Sequence, residues 1–165
     1  MEEAGIVCPG CGVALASADH TLDASYNASA ACVQVYGELS AYTLTLGDAG
    51  FIHQFIVDTY AAQHVGPAVK PIRTAFSLIG LYLACERGYT GRQVQHAHML
   101  LARQSKVWPQ FRPPPDKATL TVLDVVQAPE SARQEMIVRW SQAVWDMWKA
   151  EHAHVAELAR TYLGL

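Results

Sequence analysis

The sequence has little charge and no cluster of basic residues. Of its 165 residues 16% are charged, and the formal net charge is −3 at pH 7. A protein that binds nucleic acid usually presents a patch or stripe of lysine and arginine side chains. We therefore expect no nucleic-acid partner.

The sequence also lacks a long apolar run and a basic start. Its longest apolar stretch, residues 76–85 (FSLIGLYLAC), is about half of the roughly 20 residues that a membrane-spanning helix needs, so it predicts a buried core helix. A secretory signal begins with basic residues, whereas this chain begins with Met1, Glu2 and Glu3. We expect a cytoplasmic protein without a membrane partner. The sequence leaves open whether the partner is a protein or a small molecule, and whether the chain forms a homodimer.

Apolar residues recur at helical spacing along most of the chain. The pattern predicts helices over about 29–44, 48–64, 71–87 and 91–105, a short helix within 119–126, and a long last helix over about 129–162. Residues 108–117 hold four prolines, which predicts an extended loop. The expected fold is all-α, a roughly five-helix bundle in one domain over residues 1–165. Residues 1–28 would be an irregular, zinc-knuckle-like segment attached to a helical body over 29–165.

The chain has only four cysteines, and two of them flank a Pro-Gly turn. Two thiolates separated by two residues, as Cys8 and Cys11 are, can bind one tetrahedral metal ion, and the turn can aim backbone N–H groups at the sulfurs. The pair therefore predicts half of a zinc site. A redox disulfide is the weaker alternative, because a thioredoxin-like motif follows a strand and only seven residues precede Cys8. The third alternative is that Cys8 and Cys11 are thiols without a special role.

The remaining ligands must come from the other cysteines and the seven histidines. Cys32 is the favoured third ligand because it lies in the first turn of the first predicted helix. Cys85 lies deep in the apolar third helix and is expected to be a core residue. His64 is the favoured fourth ligand, since it ends a predicted helix beside Gly66. The alternatives for the fourth position are His152, His20 and His98.

Two further residues are candidates for chemistry. Asp58 is an acid among apolar residues, so it should pair with a cation such as Arg73 or Arg92, orient a ligand histidine, or act as a base in a cavity. His152 is a single histidine within an apolar seam of the last predicted helix. It should be either hydrogen-bonded in the core or a metal ligand.

Four motifs run along the chain: CPGCG at residues 8–12, Ser-x-x-Cys at 29–32, D-x-Y-x-x-Q-H-x-G at 58–66, and a C-terminal helix with Trp145, Trp148 and His152. Together they resemble an uncharacterised family of bacterial proteins, known only as a domain of unknown function. The resemblance spans nearly the whole chain and implies the helical architecture, but no reaction. The chain departs from the family pattern at Val65, where the family usually has proline, and near Ser77, where it often has histidine.

These observations lead to three hypotheses for function. The first is a zinc-binding helical protein whose metal is chiefly structural and is held by Cys8, Cys11, Cys32 and His64. The second is a metal-dependent enzyme with hydrolytic or Lewis-acid chemistry and an open coordination position near Asp58 and His152. The third is a thiol redox sensor.

Overall fold

The computed structural model describes residues 5–23, 25–104 and 107–165. The acidic start, residues 1–4, lies outside the described residues, as does the predicted end of the fourth helix at Ser105. Helices make up 59% of the structure. The described ranges contain seven α-helices: α1 Ala30–Thr45, α2 His53–Gln63, α3 Pro71–Arg87, α4 Gly91–Leu101, α5 Val122–Gln127, α6 Glu130–Met147 and α7 His152–Leu163.

The structure corrects the all-α expectation, because the N-terminal segment contains two short antiparallel ladders. Strand β1 (Ile6–Val7) pairs with β2 (Ala14–Leu15), and β3 (Leu22–Asp23) pairs with β4 (Ala28–Ser29). The first hairpin encloses the Pro-Gly turn, and Gly12 helps to reverse the chain with a φ of 82°, a conformation that glycine adopts without strain. Strands of two residues are too short to show an alternating apolar pattern in the sequence.

Capping residues explain several helix boundaries that the sequence predicts. The Ser29 side chain accepts a hydrogen bond from the Cys32 backbone at the start of α1, and Pro71 occupies the first turn of α3. Gly88 ends α3 in the left-handed conformation. The ambiguous stretch 119–126 does form a short helix, since Thr121 and Asp124 make a capping box at its start. Residues 108–117 form the expected loop without helix or strand, with Trp108 and Phe111 buried.

The last predicted helix is broken into two. Helix α6 ends at Met147, and a 3₁₀ turn over Lys149–Glu151 leads into α7. At the break, the Trp145 carbonyl accepts from the Trp148 backbone N–H at 3.0 Å, and the His152 Nε2–H donates to it at 2.8 Å. The Trp148 indole donates to the Ala62 carbonyl at 3.0 Å, which fixes this residue in the core. Tertiary contacts of one tryptophan therefore interrupt a helix that local pattern alone would continue.

Helix α2 lies at the centre of the molecule. It packs against α1, α3, α4 and α6, and all but three of its eleven residues are buried. Both Asp58 and the histidine that follows its end, His64, are therefore held inside the protein. No helix among the described residues is long and apolar enough to cross a membrane.

Candidate metal centre

The turn that carries Cys8 and Cys11 lies at the tip of the first hairpin. The Gly12 N–H donates to the Cys8 carbonyl at 2.9 Å, and the Cys8 N–H donates to the Val13 carbonyl at 2.8 Å. Gly10 is required by close packing: a Cβ there would lie 2.5 Å from both the Asn27 carbonyl oxygen and His64 Cδ2. The turn is therefore pressed directly against the end of α2.

Cys32 is presented by the first turn of α1. Its backbone N–H is held by the Ser29 hydroxyl oxygen at 3.3 Å, and its side chain is fully buried. The positive end of a helix dipole favours a negatively charged thiolate at this position. The capped start of α1 thus fixes the position of the third sulfur.

His64 directly follows α2 and is oriented by its own backbone. Its Nδ1 lies 2.7 Å from the Tyr60 carbonyl oxygen, so Nδ1–H donates there and Nε2 keeps its lone pair. That Nε2 atom lies 3.4 Å from Cys32 Sγ. Metal-binding histidines are commonly oriented in this way, with the far ring nitrogen donating to a carbonyl.

The four side chains form one buried cluster. The sulfurs of Cys8, Cys11 and Cys32 and a ring nitrogen of His64 all lie within 4.8 Å of one another. The Cys11–Cys32 sulfur separation is 3.8 Å. A tetrahedral zinc site with ordinary bond lengths has about 3.8 Å between sulfurs and about 3.5 Å between sulfur and nitrogen. The Cys11–Cys32 and Cys32–His64 separations match these values, so the cluster could hold a metal ion.

Three buried sulfurs cannot all ionise without a cation. Hydrogen bonding with Cys11, then with Cys8, together with burial, raises the pKa of Cys32 far above its ordinary value. Hydrogen bonding from the Cys11 and Cys32 side chains lowers the pKa of Cys8. One thiolate is thus stabilised by two neighbouring thiols, and the further ionisations need a positive charge among the sulfurs. Binding of a divalent ion would release protons.

Tyr60 supports the cluster in a way that sequence reasoning missed. Its hydroxyl donates to Cys32 Sγ at 3.4 Å, and its ring stacks on His64 with centroids 3.9 Å apart. Tyr36 stacks on the opposite face of Tyr60 at 4.0 Å. The position of Tyr60 four residues before His64, on the same helix face, is a signal that could have identified it.

Lys117 supports the turn from a distant part of the chain. Its Nζ donates to the Pro9 carbonyl at 3.0 Å and to the Gly10 carbonyl at 2.8 Å. These partners are more than a hundred residues away in sequence, so no local pattern could reveal the contact. The lysine fastens the hairpin tip to the loop that precedes α5.

Asp58 makes contacts other than those expected. It accepts a hydrogen bond from Gln54 at 3.2 Å and lies 3.7 Å from His98, and no described arginine pairs with it. Instead, Arg73 lies over the Tyr26 ring and Arg92 over a phenylalanine ring. The expectation of an arginine partner is therefore wrong for the part of the chain that the structure describes.

The other candidates also lie apart from the four-residue cluster. His152 stacks on Trp145 with centroids 3.8 Å apart and donates to its carbonyl, which is the hydrogen-bonded alternative. His20 is exposed, and Cys85 is partly buried at the edge of the core. Among the described residues, the group that could hold a metal ion comprises Cys8, Cys11, Cys32 and His64, without Asp58, His98 or His152.

The sequence was also compared with known proteins. The model of a protein family described as a family of unknown function matches residues 6–149, a range that contains the whole cluster and ends before α7. No curated protein and no solved structure matches the chain.

Proposed function

The chain belongs to DUF5946, a family of unknown function, and from its Cys₃His cluster we propose that it is a zinc-binding helical protein with a chiefly structural metal. The ion would join the tip of the first hairpin to the start of α1 and the end of α2. It would thereby attach the N-terminal segment, residues 5–28, to the helical body.

The observation that carries the proposal is the closed, buried set of four ligands. They come from three separate parts of the chain, each is buried, and together they would fill the four positions of a tetrahedral ion. Structural zinc sites are closed in this way, whereas catalytic ones keep a position open for water. Three thiolates with one imidazole are a donor set that suits zinc.

The expected energy of such a site exceeds what the segment could gain by packing. Apparent binding of structural zinc in small sites contributes roughly 10–16 kcal/mol near neutral pH. Between Ile6 and Ala28 the segment places few large apolar side chains in the core, the buried ones being Cys8, Cys11 and Ala28. The metal would therefore supply most of the free energy that orders these residues.

An enzymatic metal is the second candidate, and we rank it lower. It requires an open coordination position near Asp58 and His152, and both side chains have hydrogen-bond partners elsewhere. A thiol redox sensor would oxidise Cys8 and Cys11 reversibly, at the expense of the metal. Zinc-bound thiolates that stay reduced at physiological potentials would rule out that alternative.

We also propose a cytoplasmic location and a protein or small-molecule partner. A reducing compartment keeps four free thiols available for metal binding. The low charge and the absence of a basic cluster in the sequence argue against nucleic acid. Light scattering of the purified protein would test the homodimer.

The first experiment is metal analysis with matched cysteine variants. We expect one zinc ion per chain in the wild-type protein and in Cys85→Ser, whose cysteine lies outside the cluster. Cys32→Ser should lose the ion. Cobalt substitution should then report three thiolate ligands and four-coordinate geometry. A wild-type protein without stoichiometric metal would refute the proposal, and a coordinated water would favour the enzyme.

The second experiment measures hydrogen exchange before and after chelation. Amides of residues 5–28 should lose protection when the ion is removed, while those of α3 and α6 should keep most of theirs. Unchanged exchange in the N-terminal segment after complete metal removal would show that the ion does not order it.

A further inference from the structure

A cavity of about 350 Å³ lies between α2, α3 and α4, apart from the four metal-binding side chains. Its floor carries Asp58, Ser77 and His98, and its mouth carries Tyr26 and Arg73. Its walls are largely apolar, with side chains from α2 and α3. The volume falls at the lower end of the range for small-molecule sites, and apolar walls with a few convergent polar groups are typical of them.

The carboxyl group of Asp58 lies in the space that the absent Cβ of Gly80 leaves. The residue is 3% exposed, and a Cβ on Gly80 would overlap its Oδ2 and lie 2.6 Å from its Cγ. Gln54 donates to Oδ1 at 3.2 Å. Oδ2 accepts no hydrogen bond from any described side chain or backbone group. Asp58 therefore has one carboxyl oxygen without a donor of its own on the floor of the cavity.

His98 cannot supply that donor. Its Nε2–H donates to the Phe76 carbonyl at 3.0 Å, which leaves Nδ1 to accept from the Gln54 amide at 3.4 Å. Burial lowers the pKa of His98 to about 4, so its ring is neutral near pH 7. Burial also raises the pKa of Asp58 well above its ordinary range, as expected for a carboxyl group without a cation.

Ser77 presents a second acceptor to the same space. Its hydroxyl donates to the Thr74 carbonyl at 2.9 Å, so its oxygen lone pairs are free to accept. With Asp58 Oδ2, the floor offers two acceptors. A ligand group with several donors, such as an ammonium, would satisfy both and restore the charge of the carboxylate.

Arg73 supplies the opposite charge at the mouth. Its guanidinium carbon lies 4.5 Å from the centre of the Tyr26 ring, and Arg73 is one of the residues that line the cavity. No carboxylate in the described ranges lies within ion-pair distance of it. A ligand carboxylate would form the paired hydrogen bonds that arginine favours.

We propose that this cavity binds a small zwitterion of the amino-acid class, with its ammonium on Asp58 and Ser77, its carboxylate on Arg73, and its apolar side chain against Ile72 and Phe76. A simple amine would leave Arg73 unpaired and would be repelled by it. A simple carboxylate would leave the floor acceptors without a donor. The proposal does not depend on the identity of the metal.

The test is calorimetric titration of the protein as purified with five apolar amino acids: leucine, isoleucine, valine, methionine and phenylalanine. At least one should bind saturably with one site per chain. Its decarboxylated and deaminated analogues should each bind at least tenfold more weakly. Arg73→Gln should weaken binding at least tenfold, and Arg92→Gln, whose arginine lies outside the cavity, should not.

Variants of the floor complete the test. Asp58→Asn should also weaken binding at least tenfold, and Ser77→Ala severalfold, with melting curves to show that each variant is folded. Arg73 is half-buried at the mouth, so Arg73→Gln tests the proposal even if a floor variant fails to fold. No saturable binding by any of the five, or binding that Arg73→Gln leaves unchanged, overturns the proposal.

Discussion

The substitution Tyr60→Phe tests the proposed metal centre at a single atom. The Tyr60 hydroxyl donates to Cys32 Sγ at 3.4 Å, and its buried ring lies between His64 and Tyr36. Phenylalanine keeps the ring and both stacking contacts. The change therefore removes one hydrogen bond to a ligand sulfur and little else.

The expected loss follows from the charge on that sulfur. A hydrogen bond to a neutral group contributes about 1 kcal/mol, and one to a charged group about 1.5–3 kcal/mol. Without metal the acceptor is a thiol, and with metal it is a thiolate. Tyr60→Phe should therefore lose this difference, about 1 kcal/mol, from its metal-binding free energy. That loss corresponds to a roughly fivefold larger dissociation constant.

Competition with a chromophoric chelator at fixed pH measures this change. Tyr36→Phe is the matched control, because that ring stacks on the far face of Tyr60 and its hydroxyl does not bond to a cluster sulfur. The control should bind metal as the wild type does. If Tyr60→Phe binds equally tightly, or if both variants weaken equally, the assigned role of the hydroxyl is wrong.

Three more predictions follow from burial and titration. Metal affinity should rise with pH between about 6 and 8, because the raised pKa of Cys32 means that binding displaces protons; an affinity independent of pH would contradict the cluster. In urea titrations Gly80→Ala should destabilise the protein by about 1–3 kcal/mol, since its Cβ would overlap Asp58, whereas Gly37→Ala, with open space in α1, should stabilise it by about 0.5–1 kcal/mol. Asp58→Asn should raise the melting temperature at neutral pH. Because the folded pKa of Asp58 lies above the unfolded value of about 3.9, ionisation favours the unfolded chain as pH rises, so this gain should disappear near pH 4.

The sequence predicts the candidate centre well because its signals are local. The Pro-Gly turn fixes the spacing of Cys8 and Cys11, and the cap at Ser29 places Cys32 at a helix start. The Gly66 turn places His64 at a helix end. Each of these signals lies within a few residues of the ligand that it positions. The Pro-Gly turn, the start of α1 and the end of α2 then need only to meet.

The parts that the sequence does not predict depend on distant contacts. Trp148 interrupts the last helix through a hydrogen bond to Ala62, 86 residues earlier in the chain. Lys117 reaches the hairpin tip across a comparable separation. An arginine was one of the partners considered for Asp58, but the packing of α2 against α4 brings His98 next to it instead. Periodicity shows that a residue is buried, but it does not show which residues surround it.

One aromatic residue contacts both the candidate metal centre and the cavity between α2, α3 and α4. Tyr26 belongs to the segment that the metal would fasten, yet it forms part of the mouth of the cavity and contacts the Tyr60 ring edge-on at 5.1 Å. Withdrawal of the ion would free this side chain and leave Arg73 without its aromatic support. If the bound ion strengthens ligand binding in the cavity by some factor, thermodynamic reciprocity requires that the ligand strengthen binding of the ion by the same factor.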